Sequence, residues 1–311
     1  MNDNIEVSIY CLTYNHEKYI EQTLNGFINQ KTSFKFEVIV HDDASTDNTT
    51  EIIKRFAAKY PNIIRPIYQK ENQYSKGTSI VETYISPNVR ATKYYGVCEG
   101  DDYWTDEFKL QKQYEYLEQH PECSLCVHNT KRISENGNDL DVLFNNCKLD
   151  QEYTTIDVIK AGGGGLFHTS SFFWRKEYGL VIPKDFQIKG IGDYNRAIYL
   201  STCGTVHYLG SVMSAYRVGS TNSWVSRTAA DKQRLLSHYS NLIDGLQRIN
   251  KVTDLKFNDA FSSVIDKYRF TESELKGDYS KIIHDKSLKR IYKQKSLIYK
   301  VKFVIKCLAK C

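Results

Sequence analysis

A chain of 311 residues, 41% hydrophobic and 25% charged, has the balance of a folded globular protein with room for a core and a cleft. That balance excludes collagen, low-complexity disorder and a disulfide-stapled miniprotein, and no apolar run of the roughly eighteen residues needed to cross a membrane is present. The net charge of +5 is unevenly spread: residues 286–311 carry nine Lys or Arg and no acid, which leaves the rest of the chain at −4. A mildly acidic body argues against a nucleic-acid surface, whereas the basic tail argues for an anionic partner. The polar, acidic start Met1-Asn2-Asp3-Asn4 lacks the basic and apolar pattern of a secretory signal. The expectation is a cytoplasmic protein whose eight scattered cysteines are reduced thiols.

The first predicted element is a buried strand, Val7 to Leu12, ending in the polar Thr13-Tyr14-Asn15-His16. Ile20, Leu24, Phe27 and Ile28 then fall at helical spacing, and Phe36 to Val40 reads as a second strand ending in His41-Asp42-Asp43. A turn-rich segment opens a second helix on Ile52, Ile53, Phe56 and Ala57, which Pro61 stops. Strands follow at Ile63 to Tyr68 and at Tyr94 to Cys98, the latter running into Glu99-Gly100-Asp101-Asp102. Such alternation predicts a doubly wound α/β sheet whose ligands lie beyond the carboxyl ends of its strands. Residues 151–225 are less regular, with a glycine run at 162–165 and a helix-like Asp193 to Ser201. After 228 only helical periodicity remains (Leu235, Leu236, Tyr239, Leu242, Leu246, Ile249), which predicts a domain over 1–225 and a helical extension over 226–311.

Two acidic pairs, Asp42-Asp43 and Asp101-Asp102, stand at the ends of predicted neighbouring strands, the second with Glu99 close by. Crowded carboxylates repel, and a hard divalent cation with oxygen ligands relieves that repulsion while neutralising a diphosphate. Neither a Walker lysine loop nor GxGxxG follows the first strand, so a glycine cradle for phosphate is absent. The competing reading of either pair is a helix cap or turn, where Asp is common. Cys123, Cys126 and His128 resemble half of a zinc site, but no second half exists and the segment reads as a strand. The glycine run allows close backbone approach to a ligand or serves as a connector.

The stretches VSIYCLTYNHEKYIEQTLNGFINQ, FEVIVHDDASTDNT and CEGDDYWTDEFKLQKQ, followed in order by HTSSFFWRK, GDYNRAIYLSTCG and SAYRVGSTNSW, resemble the family 2 glycosyltransferases of bacterial surface-polysaccharide type. The resemblance covers about residues 5 to 225. It implies the GT-A fold, Rossmann-like with a mixed central sheet flanked by helices, and transfer of a sugar from a nucleotide-diphosphate sugar.

Carried over by position, the resemblance implies nucleotide contacts at Leu12, Thr13, Tyr14 and Asp43, with Asp101 near the ribose. It implies Asp102 as a ligand of Mg2+ or Mn2+, joined by Glu99, which stands where relatives have Asp and otherwise shapes the loop. Asp193 matches the catalytic base, which takes the acceptor hydroxyl's proton in an inverting transfer; a helix cap is the other reading of that residue. Trp104, His168 and Arg217 are the expected lining of the donor-sugar or acceptor pocket. Two departures stand out: Gly192 where relatives have Glu, and Gly219 where many have His.

The sequence therefore points to a metal-dependent glycosyltransferase acting on a glycan or lipid-linked acceptor. Its rival is a non-catalytic sugar-nucleotide or glycan-binding scaffold of the same fold, a reading supported by Gly192. A nucleotidyltransferase would show a glycine- and lysine-rich phosphate loop, which is absent. On a helical wheel Leu297, Val301, Val304, Ile305 and Leu308 gather opposite Lys302, Lys306 and Lys310, with Phe303 and Lys300 at the boundary. That pattern predicts peripheral attachment to the inner face of an anionic membrane, against the alternative that the stripe docks on protein.

Overall fold

The computed structural model describes residues 4–163, 166–219, 228 and 230–308. Gly164 and Gly165 of the glycine run, the expected boundary at 225, and Lys310 lie outside the described residues. The chain forms two compact units, one of Met1–Pro183 with Arg196–Ser220, the other of Lys184–Asn195 with Thr221–Cys311. The second unit thus takes in a short segment that the expected division at 225 assigned to the first.

In the first unit, strands β1 (Val7–Thr13), β2 (Phe36–Asp42), β3 (Ile64–Tyr68) and β4 (Tyr94–Val97) run parallel, in the order β3-β2-β1-β4. They are joined by helices α1 (Ile20–Ile28) and α2 (Thr49–Lys59) and by a longer excursion before β4. The near-continuous apolar runs of β1 and β2 are buried on both faces, as a central parallel sheet requires. Val7, Ile9 and Cys11 of β1 and Val38 and Val40 of β2 form one cluster with Leu24 and Phe27 of α1 and Ile53 and Phe56 of α2. This half is the predicted doubly wound pattern.

Beyond β4 the sheet becomes mixed. Strand β5 (Tyr103–Trp104) follows the acidic loop, helix α3 (Lys109–Gln119) packs beneath, and β6 (Cys123–Ile133) is a long central strand. Strands β7 (Asp139–Leu143) and β8 (Gln151–Tyr153) flank the sheet, helix α4 (Thr155–Ala161) follows, and β9 (Phe173–Arg175) inserts antiparallel between β4 and β6. Helix α5 (Asp193–Cys203) leads into β10 (Thr205–Arg217), which pairs parallel with β6 and antiparallel with β5 and β8. The sequence reading had no strand at 205–217. The alternation there is broken by two register shifts between Leu209 and Ser214, which erase the period on which such a reading depends.

The half zinc site dissolves in this sheet. Cys123 and Cys126 are buried thiols within β6, and His128 directs Nδ1 to the Asn129 carbonyl oxygen 2.7 Å away. The seven described cysteines are free thiols.

The second unit is helical: α6 (Lys232–Val252), α7 (Asn258–Lys276), α8 (Tyr279–His284), α9 (Lys286–Gln294) and α10 (Leu297–Leu308). Asp231, Asp278 and Asp285 cap α6, α8 and α9 by accepting amide hydrogens of the first turn. Phe270, Ile282, Leu288 and Phe303 form its buried cluster. No described helix is long and apolar enough to cross a membrane.

The turn from α5 into β10 depends on Gly204, where a methyl group would stand 2.4 Å from the Glu122 carbonyl oxygen. Backbone cannot yield as a side-chain end does, so Gly204→Ala should cost about 2 kcal/mol of stability, read as a lower urea midpoint at unchanged m-value.

Candidate active site

Register brings the predicted loops together. Leu12 pairs with His41 and Thr13 with Asp42, while the Gly100 amide donates to the Leu12 carbonyl at 2.9 Å and the Asp43 amide to that of Thr13 at 3.0 Å. The segments after β1, β2 and β4 therefore meet at one sheet edge. The first two loops turn sharply there, with Asn15 at φ 55° and Ala44 at φ 63°, conformations uncommon for residues with a Cβ.

These loops are stitched by polar side chains. Asn15 accepts from the Thr46 amide, Glu17 from that of Asn48, and Asp47 from that of Glu17. Asp42 turns out to be a turn residue, accepting from the Ser45 amide, the Ser45 hydroxyl and the Thr50 hydroxyl. Asp43 accepts from the amides of Gln73 and Tyr74 at 2.8 and 3.0 Å, one on each oxygen. Of the first acidic pair, then, Asp42 closes the turn and Asp43 ties the 73–74 segment to the site. Leu12 is half-buried, Thr13 buried and Tyr14 exposed at the same edge.

The second acidic group is the chemical centre. Glu99, Asp101 and Asp102 each offer a carboxylate oxygen within 4.8 Å of the others, graded from exposed Glu99 to buried Asp102. Asp102 accepts from the Arg217 amide through Oδ1 at 2.9 Å, while its buried Oδ2 has no hydrogen-bond partner. Burial first, then Asp101 and Glu99, push the Asp102 carboxyl well above the usual carboxylate range, against the pull of Arg217. An all-oxygen set with one orphaned carboxylate oxygen fits a hard divalent cation, Mg2+ or Mn2+, better than a soft one.

Gly100 is what lets this loop close. A methyl there would lie 2.8 Å from the His16 Nδ1 and from the Thr13 Oγ1, both buried atoms without hydrogen-bond partners. Burial lowers the His16 pKa against the carboxylates of Asp101, Asp47 and Asp42. His16 was not among the expected site residues; its position just past the first strand was the available signal.

The other expected residues take supporting places. Arg217, expected in a sugar pocket, is buried and spends its guanidinium on the chain itself: Nε donates to the Asp101 carbonyl, Nη1 to that of Glu135 and Nη2 to the Gln22 Oε1, over the Tyr19 ring at 4.4 Å. His168 lies between the Phe144 and Tyr216 rings with Nε2 3.5 Å from the Asp102 Oδ2. Burial drives its pKa down to about 3, so it is a neutral imidazole at neutral pH and its contact with Asp102 is not an ion pair. Trp104, expected beside the sugar, is instead a core side chain at 3% exposure, with Nε1 donating to the Ser170 carbonyl at 3.0 Å and its ring against Phe27. Asp193, the first residue of α5, belongs to the second unit, whereas α5 from Arg196 onward belongs to the first, and it accepts from the Tyr194 amide at 2.7 Å. Burial raises its carboxyl pKa, and His238 of α6 opposes that rise.

Beneath the acidic loop sits a residue with no sequence signal of its own. Lys109 of α3 is fully buried, with Nζ 4.1 Å from the centre of the Trp104 ring and donating to the Gln113 Oε1 at 2.7 Å. Gln113 in turn donates to the carbonyls of Cys126 and Ser171. Burial lowers the Lys109 pKa from 10.5 to about 7.

Because its folded pKa lies below its unfolded one, both states bind the proton below about pH 7, and stability gained from Lys109 rises between about pH 7 and 10. Thermal or urea unfolding of the wild type relative to Lys109→Met should show that rise, at most about 1.4 kcal/mol per pH unit. A difference flat with pH would mean that Lys109 keeps its proton in the fold.

Comparison with known proteins bears on this geometry. Residues 8–178 match Glycosyl transferase family 2. An uncharacterized protein of Mycobacterium tuberculosis is 45% identical over 131 residues, which are 42% of this chain and 37% of that protein. The chain thus aligns with little more than a third of that relative's length. Among solved structures, S. aureus TarS 1-349 in complex with UDP-GlcNAc matches with a TM-score of 0.60 at 16% identity, over 97% of this chain and 79% of that one. The mannosyltransferase PcManGT from Pyrobaculum calidifontis, in complex with GDP-Man and Mn2+, matches with a TM-score of 0.53 at 14% identity, over 97% and 84%. At such identities the likeness is one of fold.

Proposed function

This chain belongs to glycosyl transferase family 2 and has the GT-A fold, and from that premise we propose that it is a glycosyltransferase that moves a sugar from a nucleotide-diphosphate donor to a glycan or lipid-linked acceptor, with inversion and with Mg2+ or Mn2+. The observation that carries the reading is the crowd of Glu99, Asp101 and Asp102 at the carboxyl edge of a parallel sheet, with the Asp102 Oδ2 buried and unpartnered. Structures of the same fold are described with UDP-GlcNAc and with GDP-Man and Mn2+, which supports a nucleotide-sugar donor and a divalent ion.

In this reading Leu12, Thr13, Tyr14 and Asp43 receive the nucleoside and Asp101 its ribose. Asp102 and Glu99 hold the cation, which when bound neutralises the diphosphate. Asp193 takes the proton of the acceptor hydroxyl as that oxygen bonds to the anomeric carbon and the carbon–oxygen bond to the nucleoside diphosphate breaks. Support for Asp193 is its position in the family order and a carboxyl whose proton affinity is raised by burial. Arg217 and His168 act by positioning: one secures the Asp101 backbone, the other faces Asp102.

Two substitutions test the assignment. Asp102→Asn should abolish the dependence of donor binding on Mg2+ or Mn2+, measured by calorimetry, because a neutral amide oxygen is a poorer partner for a hard dication. Asp102 is not the ligand if metal-dependent binding survives unchanged. Asp193→Asn should leave donor affinity intact while transfer falls by about 10²- to 10⁴-fold. Near-normal turnover in that variant would return Asp193 to a capping role.

A further inference from the structure

The C-terminal helix α10 packs on the second unit by one face and leaves the opposite face bare. Tyr299, Phe303 and Cys307 recur every four residues and pack in the cluster of Phe270, Ile282 and Leu288. Phe303 is 3% exposed. On the other side Leu297, Ile298, Val301, Val304 and Ile305 are between 50% and 77% exposed. The described residues of this strip are therefore not covered by their own unit.

At 100° per residue, the bare strip is bordered by Lys300 on one flank and by Lys302 and then Lys306 on the other. Lys302 and Lys306 are exposed, and Lys300 reaches the Lys293 carbonyl at 2.7 Å. Lysines beside an apolar strip suit an interface where methylenes lie along hydrocarbon and ammonium groups meet anions. The preceding helix adds Lys286, Lys289, Arg290 and Lys293, and no acid occurs from residue 286 onward.

We propose that the outer face of α10 is a docking surface for an anionic lipid bilayer, with Val301, Val304 and Ile305 inserted shallowly between headgroups and Lys302 and Lys306 against lipid phosphates. Charge decides the occupant. A second copy pairing through this face would set each basic segment against its own like across a two-fold axis, which repels. A surface rich in anionic headgroups instead meets every one of these charges with its opposite. The inference stands apart from the glycosyl-transfer reading, since it rests only on the second unit.

Co-sedimentation of the full chain with phosphatidylcholine vesicles, with and without phosphatidylglycerol, tests it. Binding is expected only where phosphatidylglycerol is present and should weaken as salt rises toward about 0.5 M. Val301→Ser/Val304→Ser/Ile305→Ser and Lys302→Glu/Lys306→Glu should each weaken it at least about tenfold with Tm unchanged. The proposal is overturned by equal binding to both vesicle types, or by none to the anionic ones at low salt. It is equally overturned if the serine variant loses Tm, which would put the strip inside the fold. A concentration-dependent dimer in sedimentation velocity, broken by the same serines, would make a second copy the occupant and overturn the proposal, as would full retention of binding in the glutamate variant, since charge is what selects the bilayer.

Discussion

Three carboxylates held within 4.8 Å of one another repel, and the site depends on how the fold keeps them there. The restraint is chiefly backbone. The Thr23 hydroxyl bonds the carbonyls of Gly100 and Asp102, the Gly100 amide is tied to Leu12, and Arg217 fastens Asp101 by its side chain and Asp102 by its amide. Each such bond contributes about 1 kcal/mol, comparable with the repulsion of partly solvated charges, so the loop needs several together. Carbonyl oxygens take most of these bonds, and the Asp102 Oδ2 is left buried without a hydrogen-bond partner.

Arg217 can do this because β10 pairs with the two-residue strand β5 directly after the acidic loop. Its guanidinium also reaches Gln22 of α1 and the Glu135 carbonyl, so the loop is clamped between the parallel and mixed halves of the sheet. Below, Trp104 and Gln113 bond the carbonyls of Ser170 and Ser171, and the Ser170 hydroxyl continues to Ser214 and Thr130. Buried polar chains of this kind specify one arrangement, because a slip strands several donors at once. Lys109 is the exposed nerve of that arrangement in energetic terms only: a buried ammonium with a ring face and one amide oxygen close by is held at the edge of its ionisation.

The helical unit follows a different logic. Its last helix has two apolar faces, and core packing accounts for the aromatic one alone. An apolar strip left in water costs about 25 cal/mol per Å2 until something covers it.

How far the sequence reached depends on which physical signal was local. Strand and helix periods, and the polar residues that end Val7 to Leu12, Phe36 to Val40 and Tyr94 to Cys98, were legible because burial on a parallel sheet writes itself into consecutive residues. The Glu99-Gly100-Asp101-Asp102 element was legible for the same reason, since it follows a strand directly. Tertiary structure alone decided other uses: Trp104 faces the core and Arg217 locks a loop, because their partners lie 66 and 195 positions away along the chain, and Lys109 is buried beneath that loop. It also decided the use of Phe303, which the helical wheel left at the boundary of the stripe and which is buried against Phe270, Ile282 and Leu288.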